Sequence, residues 1–583
     1  MSNFALFLLQ KITAVILFFI SIFNCLFGLN KIDEKTDLVN GSLVGTDALG
    51  RSFVTAADSE KKVGVFYFLW HGQHGRERII NNTELVAANP DAVKSQEAWM
   101  AAGGGVINEF HFWGEPLLGY YTADDSWVYR KHLQMLTDAK VDFIVIDITN
   151  SFTYSEPAKL LIDVWYEYLL DGWNVPKIAF YTNSSSGNTM NRIYDEVYND
   201  PELNQKYPNL EELWFKLDGK PMIVGDENDP ALREDVKSYF RIKANQWPNE
   251  DKKKDGFPWM EFDRSLTLQA MYDSQGTKIM NVSVAQHSNT TAFSKTAWYG
   301  ANDRTRSWHD GKNDTSDDAM LYGYNFAEQW EFAIKMDPDI IFVTGFNEWV
   351  AQRQPGTQDA PVLFIDCADE NSSRDVEPSA GILGDNYYLQ MVNYIAEFKK
   401  SVSKVSQGEF IKIDIDGGFE QWNNRKISAV YKDYNNDTAP RNAQGYGGVV
   451  YTDTSGRNDI VNMKVAQDVQ SVYFYVDTAD ELTSSQDKNW MSLFIGNDYV
   501  INRTSPENGK TDIERITDHG FEKCAEAQIR FENNKLMLKV SKADISFSGS
   551  IQFKWADNYN ENDVYSFYTM GDCAPYGRMY YSF

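Results

Sequence analysis

The chain has 583 residues, of which 43 % are hydrophobic and 24 % charged, a balance that excludes a disordered or fibrous protein. Its 83 acidic residues outnumber 55 basic ones, and the net charge of −28 disfavours contact with nucleic acid, so no such partner is expected. Aromatic residues make up 14 %, which is typical of clefts where rings stack on sugars, although β-sandwiches without a ligand show the same surplus.

The N-terminus contains one long apolar segment. Residues 12–29 are apolar except for Asn24, they follow Lys11, and a charged stretch at 31–35 comes next. This pattern predicts a secretory signal peptide over residues 1–29, with an uncleaved membrane anchor as the alternative. Both interpretations predict a secreted, extracellular or cell-surface protein, and membrane contact is expected only through that anchor.

Cysteines and sequons fit an extracellular location. Cys524 and Cys573 lie in the same C-terminal region and are predicted to form a disulfide, which leaves Cys367 unpaired. The spacing matches no zinc site, and no metal is expected. In a eukaryotic protein the sequons would carry glycans on surface loops. They begin at Asn81, Asn183, Asn281, Asn289, Asn371 and Asn502.

Between residues 30 and 400, apolar segments typical of buried strands alternate with helical patterns. The segments are residues 63–70, 142–147, 177–181, 221–225, 279–284 and 340–344. Such alternation indicates a parallel sheet covered on both faces. Five or six units with long inserts favour a TIM-like (β/α)8 barrel over an open α/β sheet. No Gly-x-Gly-x-x-Gly follows an early strand, so a dinucleotide is excluded and no cofactor is expected.

The character of the chain changes after a polar stretch at residues 399–409. Short alternating segments follow at 410–415, 472–476, 536–540 and 551–555, separated by Gly, Asn, Asp and Ser. This pattern predicts an all-β sandwich over residues 410–583, following the barrel at 30–400.

Functional groups follow the predicted barrel strands, whose carboxyl ends carry the chemistry in such barrels. Asp147 and Glu348 are the candidate catalytic carboxylates, and two carboxylates in an aromatic-lined cleft suit glycosidic-bond cleavage. The candidate substrate-binding residues are Tyr67, Trp70, His71, Trp113, Asn150, Tyr181, Asp226, His287, Asn347 and Trp349. Structural alternatives stay open: a turn or cap role for Asp147, core packing for the tryptophans, hydrogen bonding for the histidines and a loop role for Asp226.

The segment Phe346-Asn-Glu-Trp349 resembles the Asn-Glu-Trp motif of glycoside hydrolase family 99 and its family 71-like relatives. Residues 63–70, 119–121 and 138–147 are also similar to stretches of that clan, so the resemblance spans about residues 60–400. It implies a (β/α)8 glycosidase in which Glu348 is a catalytic carboxylate that engages the sugar 2-hydroxyl. The family's general acid, a glutamate three residues further on, is replaced here by Ala351.

That replacement leaves three hypotheses for a protein whose expected partner is an oligosaccharide or polysaccharide. Another carboxyl acts as the acid, with Asp147 first and Glu115, Asp310 or Asp366 behind it. A related reaction such as a lyase cleavage takes place. Alternatively, the barrel is inactive and the protein is a glycan-binding surface protein, or an adhesin that keeps its anchor.

The C-terminal region has a resemblance of its own. Residues 413–422 are similar to the opening strand of carbohydrate-binding module family 9 and DOMON-like domains, and residues 553–558 agree with that type. The resemblance implies a sugar-binding sandwich in which Trp422 is structural, and a purely structural domain is the alternative. A domain that binds polysaccharide raises the local concentration of substrate for the enzyme to which it is attached. Ca²⁺ near Asp414 and Asp416 is a further open hypothesis.

Overall fold

The computed structural model describes residues 41–248, 250–260, 272–274, 276–286, 293–294, 297–299, 304–316, 318–365 and 367–583. The predicted leader at residues 1–29, His287, Asn289 and Asp366 lie outside these ranges. Within them, every helix is too short or too polar to cross a bilayer.

Eight parallel strands build a barrel. They are β1 (Lys62–Tyr67), β2 (Phe143–Ile148), β3 (Lys177–Thr182), β4 (Lys220–Gly225), β5 (Arg241–Gln246), β6 (Gly256–Pro258), β7 (Thr277–Ser283) and β8 (Ile340–Thr344). Neighbours pair in chain order from β1 to β6, β7 pairs with β8, and β8 pairs with β1. Since β6 also contacts β7, the ring is nearly closed. The predicted (β/α)8 barrel is confirmed.

Most of the helices follow barrel strands along the chain. They are α1 (Asn82–Ala88), α2 (Gln96–Ala101), α3 (Ser126–Asp138), α4 (Ser155–Leu170), α5 (Ser186–Ile193), α6 (Pro201–Lys206), α7 (Glu234–Tyr239), α8 (Tyr324–Met336) and α9 (Asn386–Lys399), with α10 (Ser566–Thr569) near the C-terminus. Local sequence sets their starts: the Asp125 carboxylate caps α3 by accepting the Trp127 N–H, and Asp200 caps α6 just before Pro201.

Alternation along the strands divides the barrel core into two layers. Val63, Val65 and Tyr67 of β1 face the helices, whereas Phe66 faces the barrel interior. Gly64 also faces inward, and a Cβ there would lie 2.3 Å from the Phe143 ring, so the interior packs tightly only because this position is glycine.

The sequence missed β5 and β6, because they lack an apolar run. In β5 Lys243 is fully buried, and its ammonium group lies 2.7 Å from Asp255, which also pairs with Arg241. The strand β6 has only three residues. A strand whose buried polar residues are ion-paired shows no hydrophobic periodicity, so its sequence pattern does not predict a strand.

A four-stranded antiparallel sheet stands beside the barrel and carries the segment after Glu348. Its strands run in the order Phe293–Ser294, Val362–Ile365, Val350–Pro355 and Phe110–Phe112. Short additional strands are Val44–Thr46 with Ser52–Val54, Lys216–Leu217 on β4, Tyr272–Ser274 on β7, and Trp308–His309 with Lys312–Asn313.

The C-terminal region forms one long antiparallel sheet. Its strands are β9 (Ala429–Lys432), β10 (Ile460–Gln467), β11 (Ser471–Thr478), β12 (Ser492–Ile495), β13 (Tyr499–Ile501), β14 (Lys510–Thr517), β15 (Gly520–Glu532), β16 (Lys535–Ser541), β17 (Gln552–Asp557), β18 (Asp572–Ala574) and β19 (Tyr581–Ser582). The order is β9-β10-β11-β16-β15-β14-β13-β12-β17-β18, with β19 on β17, and β10 contacts β18, so the sheet curls on itself. The all-β prediction is confirmed.

One predicted strand in this region is wrong. Residues 410–415 do not form a ladder strand, because the Gln421 side chain takes up backbone groups of Asp414: its Oε1 accepts the N–H and its Nε2 donates to the C=O, both at 2.9 Å. Trp422 is buried, with its indole N–H 3.4 Å from Met537 Sδ, as expected of a structural tryptophan.

The barrel and the C-terminal sheet dock closely. Val44 exchanges backbone hydrogen bonds with Tyr580, so the first described strand belongs with the end of the chain. A hairpin (Arg441–Gln444 with Val450–Asp453) reaches the barrel, where Arg441 pairs with Asp125 at 2.8 Å. The C-terminal part is therefore fixed against the barrel by specific polar contacts.

The predicted Cys524–Cys573 disulfide is wrong. Both residues and Cys367 are free thiols, because Cys524 is exposed on β15 while Cys573 is buried in β18 and donates to the Phe567 carbonyl at 3.1 Å. Strand order, which spacing does not reveal, keeps the two apart.

Three predicted glycan acceptors are also wrong. Asn81, Asn281 and Asn502 are buried, and their amide nitrogens donate to internal partners such as the Tyr120 hydroxyl for Asn81 and the Trp259 carbonyl for Asn281. A glycan needs an exposed amide nitrogen, and these three asparagines instead use theirs in hydrogen bonds inside the fold.

Candidate active site

A buried ion pair lies just beyond the carboxyl end of β8. Glu348 is 4 % exposed, and its carboxylate accepts a hydrogen bond of 2.8 Å from the Arg374 guanidinium, which is itself buried. The guanidinium carbon of Arg374 lies 5.3 Å from the centre of the Trp259 ring. The pair stabilises a negative charge on Glu348 at the face of the barrel where such folds carry their chemistry.

Asp375 places a second carboxyl beside Glu348. Its Oδ1 accepts the Glu348 backbone N–H at 2.6 Å, and Oδ2 has no hydrogen-bond partner among the described residues. Burial raises the pKa of Asp375 to about 6, although Arg374 and Arg306 pull it down. The run of charged residues at 374–377 is the sequence signal that could have found Asp375.

Two tryptophans hold the Glu348 segment. Trp113 and Trp349 stack with ring centres 4.2 Å apart, and the Trp113 indole N–H donates to the Glu348 carbonyl at 2.9 Å. Both side chains are buried. The structure thus brings these two predicted residues to Glu348 as supports, with their rings in the core, and a role in contacting sugar stays a prediction.

Beneath them runs a buried polar network that the sequence did not reveal. Glu377 accepts hydrogen bonds from the Tyr121 hydroxyl at 2.7 Å and from the Trp349 indole, and it lies 2.9 Å from His132 Nε2. The other nitrogen of His132 lies 2.7 Å from the Tyr67 hydroxyl. Tyr67 therefore uses its polar atom inside this network.

Asn347 and His71 connect the ends of β8 and β1. The Asn347 amide clamps the backbone of Phe68, accepting its N–H at 2.9 Å and donating to its C=O at 3.1 Å. Burial, helped by nearby His132, lowers the pKa of His71 to about 3, so the imidazole is neutral. Trp70, half-buried, packs edge-on against Phe110.

Asp147 lies in β2, one residue before its end, and Asn150 lies in the turn that follows. The Asp147 carboxylate accepts the Thr149 N–H at 3.0 Å, and Asn150 is exposed and donates to the Tyr154 hydroxyl at 2.6 Å. In the barrel order β1 separates β2 from β8, so Asp147 and Glu348 stand on the same face two strands apart. The turn contact agrees with the structural alternative for Asp147, and its catalytic role stays a prediction.

Tyr181 and Asp226 belong to other parts of the barrel. The buried Tyr181 hydroxyl donates to the Phe257 carbonyl at 2.9 Å and accepts the Gln246 N–H at 3.0 Å, which ties β3 to β5 and β6. Asp226 is exposed and lines a cleft of about 510 Å³ over the ends of β3, β4 and β5, across the ring from β8. The structure does not bring these two residues to Glu348.

Ala351 occupies the place where the resembling family has its acid. It is buried in the strand Val350–Pro355, opposite His111, so a methyl group packs there. Of the other predicted acids, Glu115 is partly buried and burial raises its pKa, whereas Asp310 is exposed beside His309.

No protein-family model and no curated protein matches the sequence. Two solved structures of the GH99 endo-α-mannosidase from Bacteroides thetaiotaomicron are similar to it. One covers 59 % of this chain and 99 % of its own, with 16 % identity and a TM-score of 0.36. The other, a complex with BIS-TRIS-propane, covers 59 % and 98 %, with 18 % identity and a TM-score of 0.33. Likeness at this level does not establish function, and the barrel assignment rests on its own strand order.

Proposed function

We propose that this chain is a secreted glycoside hydrolase that cleaves a glycan or polysaccharide, with Glu348 as its catalytic carboxylate. The observation that carries the proposal is the buried Arg374–Glu348 pair beside the Asp375 carboxyl, at the carboxyl end of β8. In (β/α)8 barrels this face holds the active site. The Asn-Glu-Trp sequence, through its resemblance to family 99, supports the same choice of substrate class.

Glycosidic hydrolysis needs one ionised carboxyl and one that gives a proton. Arg374 keeps Glu348 suited to the role of base or nucleophile. A general acid must reach the glycosidic oxygen. Because Asp375 is committed to the Glu348 backbone, we assign it as a positioning residue and keep Asp147 as the acid.

The roles assigned to Asp147 and Asp375 can be distinguished by comparing the activity of variants on substrates with different leaving groups. Replacing a general acid costs little when the leaving group, such as a nitrophenolate, needs no proton. We expect Asp147→Asn to lose activity on a natural glycan and keep it on the nitrophenyl glycoside, and Asp375→Ala, which removes the acceptor of the Glu348 N–H, to lose both in parallel. The reverse pattern would make Asp375 the acid.

Activity itself is tested with the purified full chain against α-mannans, α-glucans and N-glycans. We expect product from at least one substrate, loss of product in Glu348→Gln, and full activity in Glu331→Gln, a control at an exposed position on α8. Equal turnover by Glu348→Gln would contradict the proposal.

A glycan-binding protein without turnover is the second candidate. The observation in its favour is the buried methyl group of Ala351 at the family's acid position. Glycan binding by both the original chain and Glu348→Gln, with no product from either, would establish this alternative.

Secretion is part of the proposal and depends on residues 1–29. Sequencing the N-terminus of protein recovered from the culture medium tests it. A new terminus near residue 30 supports a cleaved signal peptide, and an intact leader in the membrane fraction supports the anchor.

A further inference from the structure

Four aspartates meet where the C-terminal sheet docks on helix α3 of the barrel. Asp433 and Asp437 follow β9, Asp459 precedes β10, and Asp572 begins β18. One oxygen each from Asp433, Asp437 and Asp572 lie within 4.8 Å of one another, and these three side chains are 1 %, 2 % and 4 % exposed. The carboxyl of Asp459 reaches hydrogen-bonding distance of Asp437. We call these four residues the aspartate cluster.

Each member turns one oxygen to a donor and leaves the other without one. Gln134 of α3 donates to Asp437 Oδ2 at 2.9 Å, and the Ile460 N–H donates to Asp572 Oδ2 at 2.6 Å. Four buried oxygens of the cluster have no hydrogen-bond partner among the described residues. They are Asp433 Oδ2, Asp437 Oδ1, Asp459 Oδ1 and Asp572 Oδ1. Carboxylate oxygens that face one another without a donor need a cation or protons between them.

The positive charges nearby are too few to balance the cluster. Lys131 Nζ lies 3.9 Å from Asp437 Oδ2 and donates to the Asp437 carbonyl, and buried Lys554 acts electrostatically on Asp433. Arg130 also acts on Asp437, but it is paired with Glu167 at 2.7 Å. Two ammonium groups against four carboxylates therefore leave an excess of about two negative charges, and the nearby Asp138 carboxyl adds to it. A buried excess of this size matches the charge of one divalent ion.

We propose that the aspartate cluster binds one Ca²⁺ ion, which joins separate segments of the C-terminal region where that region contacts α3 of the barrel. Ca²⁺ prefers oxygen ligands at roughly 2.3–2.6 Å, so two of its ligands stand no more than about 5 Å apart, and the three oxygens, all within 4.8 Å of one another, meet that limit. A narrow recess lined by Asp437, Thr438 and Gly571 adjoins the cluster and gives the ion a way in. The ligands come from separate segments of the C-terminal region, so the site exists only when that region is folded.

Terbium luminescence reports on this site directly, because Trp127 lines the same recess and transfers excitation to a nearby ion. The purified full chain, stripped with a chelator, is titrated with Tb³⁺ and then with Ca²⁺ in competition. We expect one site per chain and a Ca²⁺-dependent rise in the unfolding temperature. Trp127→Phe should lower the terbium emission and leave Ca²⁺ affinity, measured by calorimetry, unchanged.

Asp437→Asn and Asp572→Asn keep the side-chain shape and should each weaken Ca²⁺ binding by about tenfold or more. The matched control is the double variant Asp414→Asn with Asp416→Asn, which removes two exposed carboxylates from the same domain and should keep the original affinity. The proposal is overturned if the stripped original chain binds no Ca²⁺, which would mean that protons neutralise the cluster. It is also overturned if Asp437→Asn and Asp572→Asn bind as tightly as the original, or if only the control loses binding.

Discussion

The ion pair between Asp385 and Arg578 should be a main contributor to the docking of barrel and C-terminal sheet. Asp385 precedes α9, is fully buried, and accepts two hydrogen bonds from Arg578 at 2.8 and 2.6 Å and one from the Tyr568 hydroxyl at 2.8 Å. Asp385→Ala leaves a guanidinium that is only 14 % exposed without its partner. Breaking a buried pair in this way costs about 3–5 kcal/mol in free energy of unfolding.

Equilibrium unfolding in urea, followed by tryptophan fluorescence, measures this loss. Arg578→Met in the Asp385→Ala background removes the stranded charge, so the double variant should lose less stability than the sum of the single variants. Glu409→Ala, which breaks the exposed pair with Lys426, is the control and should cost less than about 1 kcal/mol. If Asp385→Ala costs no more than Glu409→Ala, the reasoning about the docking contact is refuted.

Three further predictions concern Asp375, His111 and the cysteines. The pKa of Asp375, raised to about 6, means that folding disfavours its ionised form and that stability falls as pH rises from the unfolded value near 3.9. Asp375→Asn should therefore gain up to about 3 kcal/mol in unfolding free energy near neutral pH and nothing near pH 3.5, and an equal effect at both pH values in urea titrations would contradict this. Burial lowers the pKa of His111 to about 3, below its unfolded value near 6.5, so the original chain loses stability as pH falls. Between pH 7 and pH 5, the free energy of unfolding of His111→Asn should fall by about 2 kcal/mol less than that of the original chain, measured by the same urea titrations. If the free energy of unfolding depends on pH in the same way in both proteins, His111 is not a buried neutral imidazole. Of the three described cysteines, only the exposed Cys524 should react with a thiol reagent in the folded protein, and Cys367 and Cys573 should react after denaturation. If Cys524 reacts only after a reductant is added, it is in a disulfide and the free-thiol assignment is wrong.

The sequence could predict the parts of the fold that local patterns determine. The apolar run of β8 and the Asn-Glu-Trp segment behind it are contiguous, so both the strand and Glu348 were found. The strand β5 was missed because its buried lysine depends on Asp255, a tertiary contact with no trace in hydrophobic periodicity.

The rest of the candidate site depends on contacts between distant positions. His132 and Glu377 are 245 residues apart in the chain, and only the closed barrel brings them together. The aspartate cluster likewise joins residues 433–459 to Asp572 through the sheet order. Single-sequence patterns carry no information on such pairings, which is also why the disulfide prediction failed.

The most direct test of the central claim is to measure glycan binding and turnover together in the original chain and in Glu348→Gln. With the substrate found in the panel, we predict a dissociation constant that changes little and a kcat that falls by about 1000-fold, equivalent to roughly 4 kcal/mol of lost transition-state stabilisation. If Glu348→Gln keeps a kcat close to that of the original chain on the same glycan, Glu348 is not the catalytic carboxylate and the account of the site is wrong.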